Sequence, residues 1–181
     1  MRLGDLATYI NGFAFKPDDW SENGLPIIRI QNLTGTNEAF NYYDGDYPKQ
    51  VEVNDGDVLI SWSASLGVYL WRQGKAILNQ HIFKVVFDKR PIDKDFFMCA
   101  VAQKLEEMGA KTHGATMKHI VKKDFDNTVI AYPAQNVQQQ FATFVRQSDK
   151  SKFAALRCSN LNLWSSSVSL ATLHMRYPPS A

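Results

Sequence analysis

The sequence predicts an α+β fold, in which a twisted and mostly antiparallel β-sheet comes first and helices follow. Short β-rich runs alternate with turn residues through the first half of the chain, at a spacing of roughly ten residues. The apolar period then changes to that of a helix over residues 95–108. After Pro133, apolar residues recur at three- and four-residue spacing, which indicates one long amphipathic helix. We therefore divide the chain into a domain, residues 1–132, and a helix, residues 133–177.

The predicted strands are short and rich in β-branched residues. The clearest are residues 26–30, 58–62 and 68–71, which are separated by turn residues such as Gly, Asn and Asp. The turn at residues 73–74 is expected to close a hairpin. The remaining predicted elements are a further extended run at 76–87, the helix at 95–108, a short helix or turn within 117–126, and a last strand at 129–132.

Composition excludes several classes of protein. The 181 residues are 45% hydrophobic and 12% aromatic, which is enough for a packed core and argues against disorder. The net charge of +2 neither requires nor excludes nucleic acid. Cys99 and Cys158 show neither a metal-binding spacing nor a disulfide pattern, so we expect a reducing cytoplasm. We expect no membrane association, because the sequence shows no signal peptide and no apolar run of spanning length.

Motifs for catalysis are absent from the sequence. The four histidines are scattered, without an H-E-x-x-H pattern or a His/Cys cluster, which argues against a metal site. The serines of residues 61–65 lack a G-x-S-x-G elbow, and the chain has neither a phosphate-binding P-loop nor a G-x-G-x-x-G motif. Most carboxylates lie in turns, where they accept local hydrogen bonds. We therefore predict a protein that binds without catalysing a reaction and holds no cofactor itself.

Amide and hydroxyl side chains gather at the ends of the predicted strands, together with lysines and arginines. Asn and Gln suit adenine edges, Arg and Lys suit guanine, and Ser, Thr and Lys suit phosphates. Taken singly, each of these residues is better explained by turn capping or by a hydrogen bond in the core. Taken together, they predict a polar DNA-binding face, in which Asn11 also takes part. The candidate residues are Lys16, Arg29, Gln31, Asn32, Ser61, Trp62, Ser63, Ser65, Asn79, Gln80, Thr116, Lys118, Lys122 and Lys123.

The C-terminal helix carries an apolar stripe that a lone helix cannot hide from water. The domain offers no second helix of matching length, so we expect the stripe to pair with a partner chain as a coiled coil or helical bundle. The alternative is that the helix folds back on its own domain, and its Phe-rich first half suits this best. The predicted dimerisation residues are Val137, Phe141, Phe144, Leu161, Trp164 and Val168.

Several stretches, in order along the chain, resemble the target recognition domain of type I restriction-modification specificity subunits. They are GFAFK at 12–16, GLPIIRIQNL at 24–33, GDVLISWSASLG at 56–67, NQHIFKV at 79–85, GAT, Ile120 and KDF within 114–125, and QFA and DK at the start of the helix, residues 140–142 and 149–150. The resemblance extends over residues 3–152.

The resemblance implies a non-catalytic subunit that selects a double-stranded DNA sequence for a methyltransferase subunit and a restriction subunit. S-adenosylmethionine, ATP and Mg would belong to those partners. Such subunits usually carry two recognition domains and two spacer helices, whereas this chain has one of each. The resemblance therefore implies either a half-subunit that forms a homodimer or a truncated or rearranged cassette. If two copies pair through their helices, two-fold symmetry would make the target a split palindrome. The alternative left open is a protein-interaction module that docks through its sheet face and helix without touching DNA.

Overall fold

The computed structural model describes residues 1–111 and 120–149. Within them, strands and helices combine in one α+β arrangement with mainly antiparallel sheets, as the sequence predicts. The strands are β1 (Thr8–Asn11), β2 (Leu25–Ile28), β3 (Asn41–Tyr43), β4 (Glu52–Val53), β5 (Val58–Ser61), β6 (Gly67–Leu70), β7 (Ala76–Leu78) and β8 (Ile82–Val86). The helices are α1 (Ile30–Thr34), α2 (Lys94–Lys111), α3 (Lys122–Asn127) and α4 (Gln135–Asp149).

The described strands form two four-stranded sheets rather than one. The first has the order β1-β8-β5-β6 and is antiparallel throughout. The second has the order β3-β2-β7-β4, in which β2 and β7 are parallel. The first sheet and the helices enclose the larger apolar core, whereas β7 and its neighbours enclose a smaller one.

The predicted run 76–87 is two strands, because the chain passes from one sheet to the other in its middle. β7 pairs with β2 and β4, and β8 pairs with β1 and β5. Between them His81 has a φ of +72°, a left-handed conformation that an extended strand does not contain. Gly12 lies against this crossing so closely that a Cβ there would stand 1.9 Å from the carbonyl oxygen of Asn79.

The predicted hairpin after residues 73–74 is wrong. β6 pairs with β5, so the hairpin precedes this turn, and the next strand, β7, lies in the second sheet. All three residues of β7 are buried between two neighbouring strands, which explains why it takes the inner position.

The predicted last strand at 129–132 is reduced to a single bridge between Val129 and Arg2. The amide of Ile130 donates to the carbonyl of Met1 at 3.0 Å, and the amide of Leu3 donates to the carbonyl of Thr128 at 2.9 Å. The segment is thus tied to the beginning of the chain by a few hydrogen bonds, too few to make a ladder.

The first part of the C-terminal helix folds back onto its own domain, so the expectation that Phe141 pairs with another chain is wrong. The domain does contain a suitable helix, α2, and α4 packs against it. Phe141 is only 2% exposed and meets the ring of Phe96 edge-on at 5.5 Å. Phe144 is 42% exposed, and Val137 is half-buried. Leu161, Trp164 and Val168 lie outside the described residues, as does the predicted course of the helix beyond Asp149.

None of the helices in the described ranges is both long enough and apolar enough to cross a membrane.

Candidate nucleic-acid interface

The ends of two parallel strands bring several predicted residues to one edge of the second sheet. Ile28 of β2 stands opposite Leu78 of β7, and the amide of Asn79 donates to the carbonyl of Ile28 at 3.1 Å. Arg29 and Asn79 therefore leave neighbouring strands side by side. Gln80 follows, and its amide donates to the carbonyl of Phe13 at 2.9 Å.

Strands of the first sheet end at the same edge. Asn11, the last residue of β1, stands opposite Phe83 near the beginning of β8. Trp62 follows β5, and its indole N–H donates to Oδ1 of Asn11 at 3.2 Å. The Trp62 ring stacks on Phe83 at 5.5 Å between centroids and meets the ring of His81 edge-on at 5.0 Å. These contacts hold the half-buried indole in one orientation.

We call this surface the polar edge. It contains Asn11, Arg29, Gln31, Trp62, Asn79 and Gln80. Gln80 and Asn11 are exposed, and the other four are half-buried. Beside the crossing between the two sheets, the edge presents the amides of Asn11, Asn79 and Gln80, one guanidinium and one immobilised aromatic ring. A fourth amide, that of Gln31, lies on the adjoining α1. Side chains of these types can both pair with base edges and pack on sugars.

Arg29 is supported from two directions. Its amide donates to Oδ1 of Asn32 at 2.9 Å, and its carbonyl accepts from the amide of Asn32 at 3.0 Å, which fixes its backbone at the start of α1. Its guanidinium carbon lies 5.2 Å from the ring centre of Trp20, a residue that is 40% exposed. This distance is within the range of a cation–π contact.

Three predicted DNA-binding residues serve the fold instead. Asn32 uses its side-chain amide to donate to the carbonyls of Asn37 at 3.0 Å and of Ala39 at 2.9 Å, so both ends of this amide are occupied. Ser61 and Ser63 are buried, and the Ser61 hydroxyl donates to the carbonyl of Ser65. The Asn32 and Ser61 side chains stabilise local turns, because a strand end leaves backbone groups that need partners.

The predicted lysines that the structure describes are not part of the polar edge. Lys16, Lys122 and Lys123 are exposed, as is Ser65. Lys122 forms an ion pair with Asp126 at 2.7 Å, and its ammonium group lies 5.8 Å from the ring centre of Phe83. Thr116 and Lys118 lie outside the described residues.

The segment that contains Lys122 and Lys123 is attached directly to the polar edge. The amide of Ile120 donates to the carbonyl of Trp62 at 3.0 Å. Beneath α3, burial raises the pKa of the Tyr9 phenol far above its usual range, and the charge of Asp126 adds to this effect. The phenol donates to the carbonyl of Leu3 at 3.1 Å.

Three residues near the edge were not predicted from the sequence: Phe13, Trp20 and His81. Trp20 and Phe13 are exposed aromatic residues in loops, and an aromatic residue in an otherwise polar loop is the signal that would have indicated Trp20. His81 is recognised only from the structure, since its positive φ marks the crossing between the sheets. Across residues 1–111 and 120–149, no group of three or more His, Cys, Asp or Glu residues is arranged to hold a metal ion.

Comparison with known sequences gives a consistent result. The family described as the type I restriction modification DNA specificity domain matches residues 1–159. The chain is 28% identical over 156 residues to the type I restriction enzyme EcoBI specificity subunit of Escherichia coli, an alignment that covers 83% of this chain and 33% of that protein. It is 26% identical over 152 residues to the MjaVIII specificity subunit of Methanocaldococcus jannaschii, covering 82% of this chain and 35% of that protein.

The fold is also similar to that of a solved specificity subunit. The structure of the type I restriction-modification S subunit from M. genitalium superimposes with a TM-score of 0.61 at 16% identity, over 83% of this chain and 38% of that one. The chain thus spans about a third of the length of the curated relatives that it matches.

Proposed function

This chain belongs to the type I restriction modification DNA specificity family, and from that premise we propose that it is a DNA-reading, non-catalytic part of a restriction-modification complex. The single observation that carries the proposal is the polar edge. Amide, guanidinium and indole groups from both sheets gather there, and the ammonium group of Lys122 lies 5.8 Å from the ring of Phe83, on which Trp62 stacks. The comparisons favour this function over a protein-interaction module that ignores DNA.

The residues of the polar edge and the lysines outside it would make different contacts with DNA. Gln31 and Gln80 would pair with base edges through both the donor and the acceptor of their amides. Asn79 would pair through its amide donors, because its Oδ1 already accepts from the backbone amide of Gln80 at 2.9 Å. Lys16, Lys122 and Lys123 would bind phosphates and supply the affinity that all sequences share. Trp62, immobilised by its neighbours, would pack on a sugar or a base.

The helix α4 would connect this reading domain to the remainder of the assembly. Its buried face anchors it on α2, and the predicted helix to residue 177 would continue as a spacer. We propose that two copies of this reading domain pair and read a split palindrome. The methyltransferase and restriction subunits would supply S-adenosylmethionine, ATP and Mg, and none of these would bind to this chain.

An electrophoretic titration of duplex DNA over a salt series tests the proposal, with the full chain alone and with its methyltransferase subunit. We expect binding that weakens steeply with salt and prefers particular sequences. Absence of duplex binding in both arrangements would contradict the function.

Single substitutions test the division of work. Lys123→Gln is expected to weaken binding at all sequences and to lower the salt slope by about one. Gln31→Ala and Asn79→Ala are expected to relax the preference at single base pairs instead. Equal losses on all sequences from both groups of variants would reject this division. Light scattering on the full chain tests the pairing of two copies, and a monomer at every concentration would reject it.

A further inference from the structure

Trp20 is exposed beside the polar edge, and the fold does not need it in its core. Its neighbour Ser21 forms a bridge with Tyr42, which fixes the loop against β3. Trp20 is 40% exposed, and the guanidinium carbon of Arg29 lies 5.2 Å from the centre of its ring. An exposed tryptophan in this position serves the arginine rather than the stability of the domain.

Arg29 is held ready for a ligand. Its backbone is fixed by Asn32, as described above. In the described part of the chain, none of the ion pairs involves Arg29, so no carboxylate competes for its charge. Its Nε is buried and makes no hydrogen bond to any described residue. A buried donor without a partner is unfavourable, and a ligand that rearranges the side chain would give it one.

We propose that Trp20 and Arg29 form a reading pair, in which the indole holds the guanidinium toward a guanine of the bound DNA. The inference rests on the proposed function and adds a specificity-determining residue, Trp20, to it. Arginine stacked on an aromatic ring loses little further freedom when it binds, and its planar donors match O6 and N7 of guanine. Phosphate binding by Arg29 is the competing role, and it differs in its dependence on sequence.

Selection from a randomised duplex library with the full chain and its methyltransferase subunit tests the reading pair. The variants are Arg29→Lys, Trp20→Leu and Trp20→Phe. Arg72→Lys is the matched control, because Arg72 is exposed and follows β6 at the opposite end of the first sheet. Thermal unfolding of each variant establishes that the domain remains folded.

We expect Arg29→Lys to lower the preference for guanine at one position by about 5- to 150-fold, which corresponds to the worth of one bidentate pair. The charge remains, so the salt slope is expected to be unchanged. Trp20→Leu is expected to weaken the preference at the same position, and Trp20→Phe to retain most of it. Arg72→Lys is expected to change neither quantity.

Two results would overturn the reading pair while leaving the proposed function intact. One is a wild-type preference that no Arg29 or Trp20 variant alters at any single position. The other is a uniform loss of affinity across all sequences in Arg29→Lys, which would assign Arg29 to a phosphate. A wild-type complex that binds duplex DNA without any preference would overturn the proposed function, and the reading pair with it.

Discussion

The polar edge and the junction between α2 and α4 use similar side chains for opposite purposes. At the junction, Gln138 is 1% exposed, and both ends of its amide are occupied: Oε1 accepts from the amide of Asp93 at 3.0 Å, and Nε2 donates to the carbonyl of Pro133 at 2.9 Å. At the edge, Gln80 is exposed, and its backbone rather than its side chain holds the crossing. A glutamine that is fully bonded within the chain builds the fold, whereas one whose side chain faces solvent is available to a ligand.

The comparison predicts that the junction determines stability and that the edge determines affinity. The largest effect is expected from Phe141→Ala, which removes a buried ring from the contact with Phe96. We expect a loss of about 3–5 kcal/mol in the free energy of unfolding, measured by urea denaturation. Phe144→Ala is the control, and its loss is expected to be much smaller because Phe144 is 42% exposed. Equal losses from the two variants would contradict the packing of α4 on α2.

The next effect is expected from Gln138→Leu, which keeps the volume of the side chain but leaves the amide of Asp93 and the carbonyl of Pro133 without their partner. The expected loss of stability is about 1–3 kcal/mol in the same measurement. The adjacent exposed residue supplies the control, Gln139→Leu, for which we expect a change within about 0.5 kcal/mol. A stable Gln138→Leu variant would show that the junction does not depend on this amide.

Two adjacent residues on α1, Gln31 and Asn32, allow the same comparison at the polar edge. Asn32→Ala removes the acceptor for the amide of Arg29 and two donors to the following loop, and we expect it to cost about 1–2 kcal/mol of stability. Gln31→Ala is expected to leave stability unchanged within about 0.5 kcal/mol and to alter only the sequence preference. Thermal unfolding and library selection on both variants check this. A stability loss in Gln31→Ala together with an unchanged stability in Asn32→Ala would contradict it.

The smallest effect is expected from the lysines of α3. Lys122 is paired with Asp126 at 2.7 Å, and Lys123 has no ion pair within residues 1–111 and 120–149. Lys122→Gln is therefore expected to lower DNA affinity less than Lys123→Gln, because the carboxylate already competes for the Lys122 charge. Neither variant is expected to lower stability by more than about 1 kcal/mol, since exposed ion pairs contribute little. Affinity at low salt distinguishes the two, and a larger loss from Lys122→Gln would contradict the ranking.

Local patterns were sufficient to predict the fold class and the gathering of polar residues at strand ends. The strands at 58–62 and 68–71 are close to β5 and β6, and the helix predicted at 95–108 lies within α2. Arg29, Asn79 and Gln80 come together because β2 and β7 are parallel and end side by side, a pairing that sequence order does not contain.

The remaining features depend on contacts that sequence spacing does not encode. Residues 76–87 read as one strand because β-branched residues flank the crossing on both sides, and only the left-handed backbone of His81 separates the two sheets. Phe141 was assigned to a partner chain because its periodicity shows an apolar face but not what covers it. Asn32, Ser61 and Ser63 have the residue types of a DNA-binding face, yet Asn32 and Ser61 close local turns with their hydrogen bonds, and Ser63 is buried.

Gly12 limits which substitutions the polar edge can accept. With the Asn79 carbonyl so near its Cα, position 12 admits no side chain unless the two sheets separate. Trp20, in the loop that follows, is 40% exposed and meets no such restriction. New DNA targets would therefore arise by changes at exposed positions such as Trp20, while position 12 remains glycine.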